Sequence, residues 1–273
     1  MEVKVLSPER ITTIGLGSPR PVYFPKNVKE LLKLLLKGYP IIGGGSNVIL
    51  SESKTPLISL KKFSYIKQEG DNLTVGAGTP ISRVLRFQVK RKISILEFLA
   101  GIPRATIGGI VAQNAGAFGR EVKDVLISVK YLDRQSGELK ELKNFSLFSY
   151  RSSPFPELGA VVEATFKTTP DTFIKEKIER FVNLRLSKQP PFYLKTAGST
   201  FKNPETAPAG KLLDLCGLRG FRVGGVGFSE KHANFAVNYG GTFNDFSKLI
   251  DIAREKVLYH FGISLPLEVK VID

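Results

Sequence analysis

Apolar residues recur every three or four positions in several stretches of the chain, and this spacing predicts amphipathic helices. The longest stretch covers residues 244–261 and stops at Gly262, and glycine is the residue that most often ends a helix. The same spacing predicts four shorter helices, at 26–37, 80–90, 171–187 and 208–216.

Short runs rich in β-branched and aromatic residues separate these helices and predict strands. They lie at 22–24, 41–42, 48–50, 57–60, 65–66, 73–75, 125–132, 139–142, 160–167 and 265–272. The strands and helix between residues 22 and 50 form a predicted β-α-β unit that contains a glycine-rich turn. Pro190 and Pro191 break the pattern and indicate a domain boundary.

The glycine-rich turn is Gly43-Gly44-Gly45-Ser46-Asn47. Consecutive glycines let backbone N–H groups approach a pyrophosphate, and a serine hydroxyl and an asparagine amide add donors. A tight turn without a ligand is the alternative interpretation. The chain carries neither the glycine pattern of the common dinucleotide-binding fold nor that of a P-loop.

A second glycine-rich stretch follows about 60 residues later, at 101–119, and strengthens the cofactor interpretation. It contains Gly108, Gly109, Asn114 and Gly116, which are small residues with polar neighbours. Such residues are expected where backbone packs against a flat ring. Two loops of this kind could together hold one extended dinucleotide.

Composition and charge narrow the classes further. The 42% of hydrophobic and 24% of charged residues are ordinary for a globular protein, and the net charge of +15 attracts anions. In residues 181–222 seven cations accompany two acids, which suits an anionic substrate or a solvated basic face. One cysteine and two histidines argue against a disulfide within the chain and against a metal site. No run has the length of a membrane span and the chain starts without a signal peptide, so a cytoplasmic protein is expected.

Taken together, five ordered segments resemble the UDP-N-acetylenolpyruvoylglucosamine reductase family, also called UDP-N-acetylmuramate dehydrogenases, over nearly the whole chain. The segments are Gly43-Gly44-Gly45-Ser46-Asn47; Gly101-Ile102-Pro103 with Gly108-Gly109 and Asn114-Ala115-Gly116-Ala117-Phe118-Gly119; Tyr150-Arg151-Ser152-Ser153-Pro154-Phe155; Ala197-Gly198-Ser199-Thr200-Phe201-Lys202-Asn203-Pro204; and Ser229-Glu230-Lys231-His232-Ala233-Asn234-Phe235 with Asn238.

The resemblance implies an α+β fold with three domains. Two FAD-binding subdomains of the vanillyl-alcohol-oxidase-like (PCMH) type would cover 1–56 and 57–169, and an α/β domain for a UDP-sugar would cover 170–273. The short separation between Phe155 and Ser199 indicates the shorter type of the family, which lacks an extra tyrosine-bearing loop.

The resemblance also implies a reaction and its catalytic residues. NADPH reduces non-covalently bound FAD, and hydride then passes to the enolpyruvyl ether of UDP-N-acetylglucosamine enolpyruvate, a peptidoglycan precursor. Arg151 matches the cation that stabilises the resulting enolate, since a guanidinium fork suits a carboxylate. Glu268, when protonated, would donate to that enolate, and Ser199 would protonate the substrate carbon.

Binding residues carry over from the same motifs. Those expected at FAD are Gly43, Gly44, Gly45, Ser46, Asn47, Gly108, Gly109, Asn114 and Gly116. Lys188 and Asn203 match substrate-binding positions. His232 is expected to be structural, because the reaction needs no nucleophile. A monomer without a nucleic-acid or membrane partner is expected.

The chain departs from the family pattern at one cofactor loop, where Arg104-Ala105-Thr106-Ile107 precedes Gly108 and makes the loop one residue longer. Two other functions stay open. A different flavin oxidase on the same cofactor fold would often tether FAD through a histidine in its first domain, but both histidines lie in the last third of the chain. A basic nucleic-acid-binding module would show salt-dependent binding and no flavin.

Overall fold

The computed structural model describes all 273 residues, which form two compact units. The first unit comprises Met1–Val5, Pro21–Gly44 and Pro56–Leu184, and the second comprises Leu6–Arg20, Gly45–Thr55 and Arg185–Asp273. These units alternate along the chain, so neither of them is one continuous stretch of sequence. The three predicted domains at 1–56, 57–169 and 170–273 stay a prediction.

Helices and strands are mixed throughout the chain, as the α+β prediction requires. The helices are α1 Pro8–Ile11, α2 Val28–Leu35, α3 Ile81–Arg91, α4 Ile107–Ala112, α5 Phe155–Leu158, α6 Ile174–Lys188, α7 Ala209–Leu215 and α8 Phe243–Phe261. The strands are β1 Glu2–Leu6, β2 Arg20–Phe24, β3 Ile41–Ile42, β4 Val48–Leu50, β5 Leu57–Ser59, β6 Ile66–Glu69, β7 Asn72–Gly76, β8 Ile93–Ser94, β9 Gly116–Ala117, β10 Arg120–Glu121, β11 Leu126–Asp133, β12 Leu139–Leu142, β13 Gly159–Lys167, β14 Thr169–Pro170, β15 Arg222–Val223, β16 Val226–Phe228, β17 Ala236–Asn238 and β18 Lys270–Ile272.

Two sheets build most of the first unit. A four-stranded sheet has the order β1-β2-β5-β3, in which β2 and β3 both run parallel to β5. A five-stranded antiparallel sheet has the order β12-β11-β13-β7-β6. Its central strand β13 is mostly buried, and α3 contributes Ile81 and Val84 to the same core.

The second unit packs α7 and α8 against short sheets. The strands β15, β16 and β17 form an antiparallel sheet, and β4 runs parallel to β18. Helix α8 begins with a capping box, in which the Thr242 side chain accepts from the Asp245 backbone and Asp245 accepts from the Thr242 backbone. It ends at Gly262 in the left-handed conformation, as the sequence predicts.

Three local predictions need correction. Strand β4, predicted to belong with β2 and β3, pairs with β18 in the second unit. The predicted strand at 265–272 is a ladder only over β18, because residues 266–269 bond instead to residues 200–202. Helix α4 lies within the second glycine-rich stretch, where the sequence predicts no helix.

Candidate active site

The two glycine-rich stretches meet within the first unit. A Cβ atom on Gly44 would overlap the carbonyl oxygen of Arg104, and one on Gly43 would lie 2.7 Å from the Thr106 hydroxyl oxygen. Glycine is therefore required at both positions by the close approach of a second backbone segment. Gly109, which lies beyond this contact, is exposed and its nearest neighbour would be 3.5 Å from an added Cβ. The arrangement fits an extended cofactor, since it leaves backbone unobstructed by side chains.

The lengthened loop before Gly108 is ordered by backbone bonds. Ala105 accepts from the Ile81 N–H, and the N–H of Ile107 donates to Thr79. Arg104 lies in the left-handed region at φ 56°, and burial lowers the pKa of its guanidinium. Gly108, which follows this loop, lies against Ala77, where an added Cβ would be 3.0 Å from the Ala77 Cβ.

Arg151 lies at the tip of a tight turn in the first unit. The backbones of Ser149 and Ser152 bond to each other in both directions, at 3.1 and 3.0 Å, and Arg151 between them has φ 54°. Its Nη2 donates to the Gly116 carbonyl at 2.9 Å, and its guanidinium carbon lies 4.9 Å from the centre of the Tyr150 ring. The turn thus presents a cation whose direction is fixed by the second glycine stretch.

Asn114 joins the Ser149–Ser152 turn to the second glycine-rich stretch. It is fully buried, and its Nδ2 donates to the Ser149 carbonyl at 2.8 Å and to Glu121 Oε2 at 3.0 Å. The Ser153 hydroxyl adds a bond to the Ala112 carbonyl at 2.8 Å. The structure therefore brings Asn114 and Gly116, which belong to one motif, together with Arg151, which belongs to another.

The rest of the first glycine turn belongs to the second unit. Gly45 has φ 70°, and a Cβ there would overlap the Ile11 carbonyl oxygen. The Thr13 N–H donates to the Gly45 carbonyl at 3.0 Å, and the Thr13 hydroxyl donates to the Thr196 carbonyl at 2.7 Å. Thr13 therefore holds the Gly45 turn and joins it to the segment that contains Thr196.

Ser46, Asn47, Ser199 and Glu268 form a second group of predicted residues. The Asn47 Nδ2 donates to the Glu268 carbonyl at 3.1 Å, and the Glu268 N–H donates to the Thr200 carbonyl at 2.8 Å. A Cβ on Gly198, whose φ is 81°, would lie 3.7 Å from the Ser46 carbonyl oxygen. Residues from three distant parts of the sequence thus meet around the Ser199 turn.

Ser199 itself is half-buried, and its hydroxyl takes part in no hydrogen bond within the chain. Its neighbours are fixed: Thr200 Oγ1 accepts from the Ala236 N–H at 3.0 Å, and the Asn234 side chain bonds to both the N–H and the carbonyl of Phe201 at 2.9 Å. Sequence reasoning missed this role of Asn234. Its place in the fifth motif was the only available signal.

Asn203 and Lys188, the two residues predicted to bind substrate, are associated with the ends of two different helices. Asn203 Oδ1 accepts from the Ala209 N–H at 3.0 Å and so holds the start of α7. Lys188 is the last residue of α6 and is exposed. No hydrogen bond or ion pair joins Lys188 to Ser199 or Asn203.

His232 has the surroundings of a structural residue. Its Nδ1 accepts from the Asn234 N–H at 3.2 Å, its ring packs edge-on against Phe235, and a Cβ on Gly210 would lie 2.7 Å from its Cε1. Burial, followed by the charge of Arg219, lowers the pKa of His232. Nothing in this arrangement resembles an activated nucleophile, and no cluster of three or more His, Cys, Asp or Glu side chains could hold a metal ion.

Comparison with known families defines the class. Residues 19–143 match the FAD binding domain family, so the chain is an FAD-dependent enzyme. Residues 189–272 match the C-terminal domain of UDP-N-acetylenolpyruvoylglucosamine reductase.

None of the helices has both the length and the apolar character that a membrane crossing needs.

Individual relatives agree over the full length. The UDP-N-acetylenolpyruvoylglucosamine reductase of Aquifex aeolicus is 42% identical and that of Moorella thermoacetica is 37% identical; the alignments cover 97% and 99% of this chain and 93% and 94% of those proteins. The crystal structure of the Thermus caldophilus enzyme superposes with a TM-score of 0.85 at 30% identity, covering 100% of both chains. The chain belongs to the UDP-N-acetylenolpyruvoylglucosamine reductase family. The predicted family, fold class and FAD cofactor are confirmed.

Proposed function

We propose that this protein uses NADPH to reduce UDP-N-acetylglucosamine enolpyruvate to UDP-N-acetylmuramate in peptidoglycan precursor synthesis. The observation that carries the proposal is the Ser199 turn, in which the two residues after Ser199 are held by hydrogen bonds while the Ser199 hydroxyl has no hydrogen-bond partner in the chain. A serine that merely shaped a turn would bond to nearby backbone.

FAD, reduced by NADPH, supplies the hydride chemistry when it is bound. The residues that would hold it are the glycines at 43–45, 108, 109 and 116, with Ser46, Asn47 and Asn114. Three of these glycines, at 43, 44 and 45, have no room for a side chain, which supports a cofactor site made of backbone rather than side chains. Neither histidine is near these stretches in sequence, so the cofactor is expected to be non-covalent.

Arg151 would stabilise the negative charge that develops on the carboxylate side of the substrate. Its guanidinium already uses Nη2 to bond to the Gly116 carbonyl, so its orientation is set before substrate binds. An electrostatic group that needs no reorganisation during the reaction is the most effective kind. The matched tyrosine-arginine turn and the tie to Gly116 support this role.

Ser199 would donate the proton to the enolate carbon. Protonated Glu268 would donate a hydrogen bond to the enolate and stabilise its negative charge. A serine hydroxyl is a weak acid, but an enolate carbon is a strong base, so a weak acid suffices. The backbone bond from Glu268 to Thr200, next to Ser199, keeps these two residues in one rigid assembly. Lys188 and Asn203 would bind the anionic and polar parts of the UDP-sugar.

The remaining parts of the proposal are that the enzyme acts as a cytoplasmic monomer, on a small-molecule substrate and without nucleic acid or membrane. The basic stretch at 181–222 then serves a diphosphate substrate rather than a polyanion. Gel filtration with light scattering tests the monomer, and a nucleic-acid binding titration at low salt tests the alternative.

The decisive experiment follows NADPH absorbance with and without UDP-N-acetylglucosamine enolpyruvate. We expect substrate-dependent consumption with UDP-N-acetylmuramate as the product, and a yellow protein that releases all its flavin on acid denaturation. Consumption that is independent of the substrate and coupled to oxygen would instead favour a flavin oxidase. Flavin that stays on the denatured chain would contradict the non-covalent cofactor.

A further inference from the structure

A buried carboxylate, Glu97, lies in the first unit and belongs to none of the motifs considered above. Its side chain is 3% exposed and accepts four hydrogen bonds, from Ser94 Oγ at 2.8 Å, the Ile95 N–H at 2.8 Å, Gln88 Nε2 at 3.1 Å and Arg120 Nη1 at 2.5 Å. Although burial by itself raises the pKa of Glu97, these bonds and the Arg120 charge outweigh it and lower the pKa. Glu97 is thus held as a buried anion with every lone pair engaged.

Arg120 is the only cation among those donors, and its position on the chain is informative. It lies on β10, directly after the two-residue turn Phe118-Gly119. Both turn residues have positive φ, at 54° and 79°, as a tight type I′ hairpin requires. The Arg120 guanidinium carbon also lies 4.6 Å from the centre of the Phe98 ring, next to Glu97 in sequence. The side chain of Arg120 therefore fastens the hairpin β9–β10 to the buried Glu97.

The same hairpin carries the backbone to which Arg151 is bonded. Glu121 pairs with Gly116 across the hairpin, and a Cβ on Gly116 would lie 2.6 Å from the Arg120 carbonyl oxygen. The Gly116 carbonyl accepts from Arg151 Nη2 at 2.9 Å. A continuous path of contacts thus runs from Glu97 through Arg120 and Gly116 to Arg151.

We infer that Glu97 and Arg120 are positioning residues, which fix the Gly116 carbonyl and through it the direction of the Arg151 guanidinium. The inference rests on the proposed role of Arg151. A buried ion pair costs desolvation and often adds little stability compared with apolar side chains. Placing one behind a strained hairpin instead specifies a single arrangement of that hairpin.

The test uses the full-length chain with Arg120→Gln, which removes the cation, and Arg120→Lys, which keeps a charge but not the planar fork. The matched control is Lys130→Gln. Lys130 is also a half-exposed cation on a strand of the first unit, and its Nζ lies 2.7 Å from the mostly buried Glu163. It has no hydrogen bond or ion pair with Gly116 or Arg151.

The first measurement is backbone hydrogen exchange of the apoprotein, which needs neither cofactor nor turnover. We expect Arg120→Gln to speed exchange at 114–121 and also at 149–153, Arg120→Lys to do so less, and Lys130→Gln to leave both segments unchanged. Unchanged exchange at 149–153 in Arg120→Gln would overturn the inference. If the wild-type enzyme fails to turn over the substrate, the proposed function is lost, and this measurement still decides the positioning claim.

The second measurement is rapid kinetics of the FAD-loaded enzyme. We expect Arg120→Gln to slow flavin reoxidation by the substrate about tenfold, with flavin reduction by NADPH changed less than twofold. In the double variant with Arg151→Lys, Arg120→Gln should slow flavin reoxidation little beyond the effect of Arg151→Lys alone. Its effect passes through Arg151, which is already altered. Equal slowing of both half-reactions, or a fully additive loss in the double variant, would assign the pair a purely structural role.

Discussion

The two units hold their predicted site residues in different ways. All five non-glycine residues with a left-handed backbone lie in the first unit: Lys92, Arg104, Asn114, Phe118 and Arg151. In the second unit every residue with positive φ is a glycine, including Gly45 and Gly198 beside the Ser199 turn. The first unit therefore carries backbone strain that the second avoids.

Strain of this kind, about 1–2 kcal/mol for each residue, persists only where surrounding contacts over-determine the conformation. In the first unit those contacts are side chain to backbone bonds, such as those of Asn114 to Ser149 and Arg151 to Gly116. In the second unit the Ser199 turn is also held by side chain to backbone bonds, such as those of Asn234 to Phe201, and by backbone bonds, as between Glu268 and Thr200, but every residue with positive φ there is a glycine. Replacing a non-glycine residue by glycine should therefore relieve backbone strain only in the first unit.

The largest expected effect comes from Ser199→Ala in the second unit. The turn is held by Thr200, Asn234 and backbone bonds, so FAD binding and flavin reduction by NADPH should stay near normal. Steady-state turnover should fall by about 10²–10⁴-fold, because the proton donor is lost. Ser199→Cys, which keeps a donor, should retain more activity than Ser199→Ala. Near-normal turnover of Ser199→Ala would remove the hydroxyl from the mechanism.

Arg151→Lys and Glu268→Gln should each slow flavin reoxidation by the substrate about 10²–10³-fold, the usual loss for one electrostatic stabiliser. Flavin reduction by NADPH should change far less, because only the second half-reaction develops an enolate. Stopped-flow absorbance of the flavin separates the two halves. If both halves slow equally, these residues serve the cofactor or the fold.

Two buried asparagines compare the units directly. Asn114→Ala leaves the Lys123 N–H without its partner and removes one of the two donors to the Ser149 carbonyl. Asn234→Ala leaves the Phe201 N–H and carbonyl without their partner, so each variant should cost about 2 kcal/mol in the free energy of unfolding. The difference in stability between the glycine and the alanine variant should have opposite signs at the two positions. Asn114 has φ 42°, so Asn114→Gly should be about 1 kcal/mol more stable than Asn114→Ala.

Asn234 has no positive φ, and there glycine should be less stable than alanine, because it loses more backbone entropy on folding. Urea unfolding of the four variants measures both differences. The same sign at both positions would show that backbone strain does not distinguish the units.

What the sequence predicted follows from local physics. The spacing of apolar residues predicts helices α3 and α8, and Gly262 also predicts where α8 ends. Helix α4 was not predicted, because Gly108 and Gly109 are poor helix formers, at about 1 kcal/mol each relative to alanine. The packing of Gly108 against Ala77 is a tertiary contact that the local sequence does not show.

The candidate site shows the same limit. Motifs predict Arg151, Ser199 and Glu268 as site residues, and that stays a prediction. They gave no sign of the bonds from the Phe201 N–H to Asn234 and from Arg120 to Glu97, because these bonds join residues far apart in sequence. Five positive φ values at non-glycine residues were equally invisible, because a side chain gives no local sign that its backbone is strained.

The smallest expected effects test whether the strain in the first unit is real at a position without any site role. Lys92 ends α3 at φ 53° and is exposed, whereas Gly262 ends α8 at φ 66° in the second unit and has no atom within 4 Å of an added Cβ. Because space is open at Gly262, any cost of a side chain there is conformational. Lys92→Gly should raise the free energy of unfolding by about 0.5–1 kcal/mol, and Gly262→Lys should lower it by a similar amount. Urea midpoints at unchanged m-value measure both. A loss of stability in Lys92→Gly would mean that the lysine side chain makes up for its strained backbone, and the contrast between the units would then be confined to the site residues.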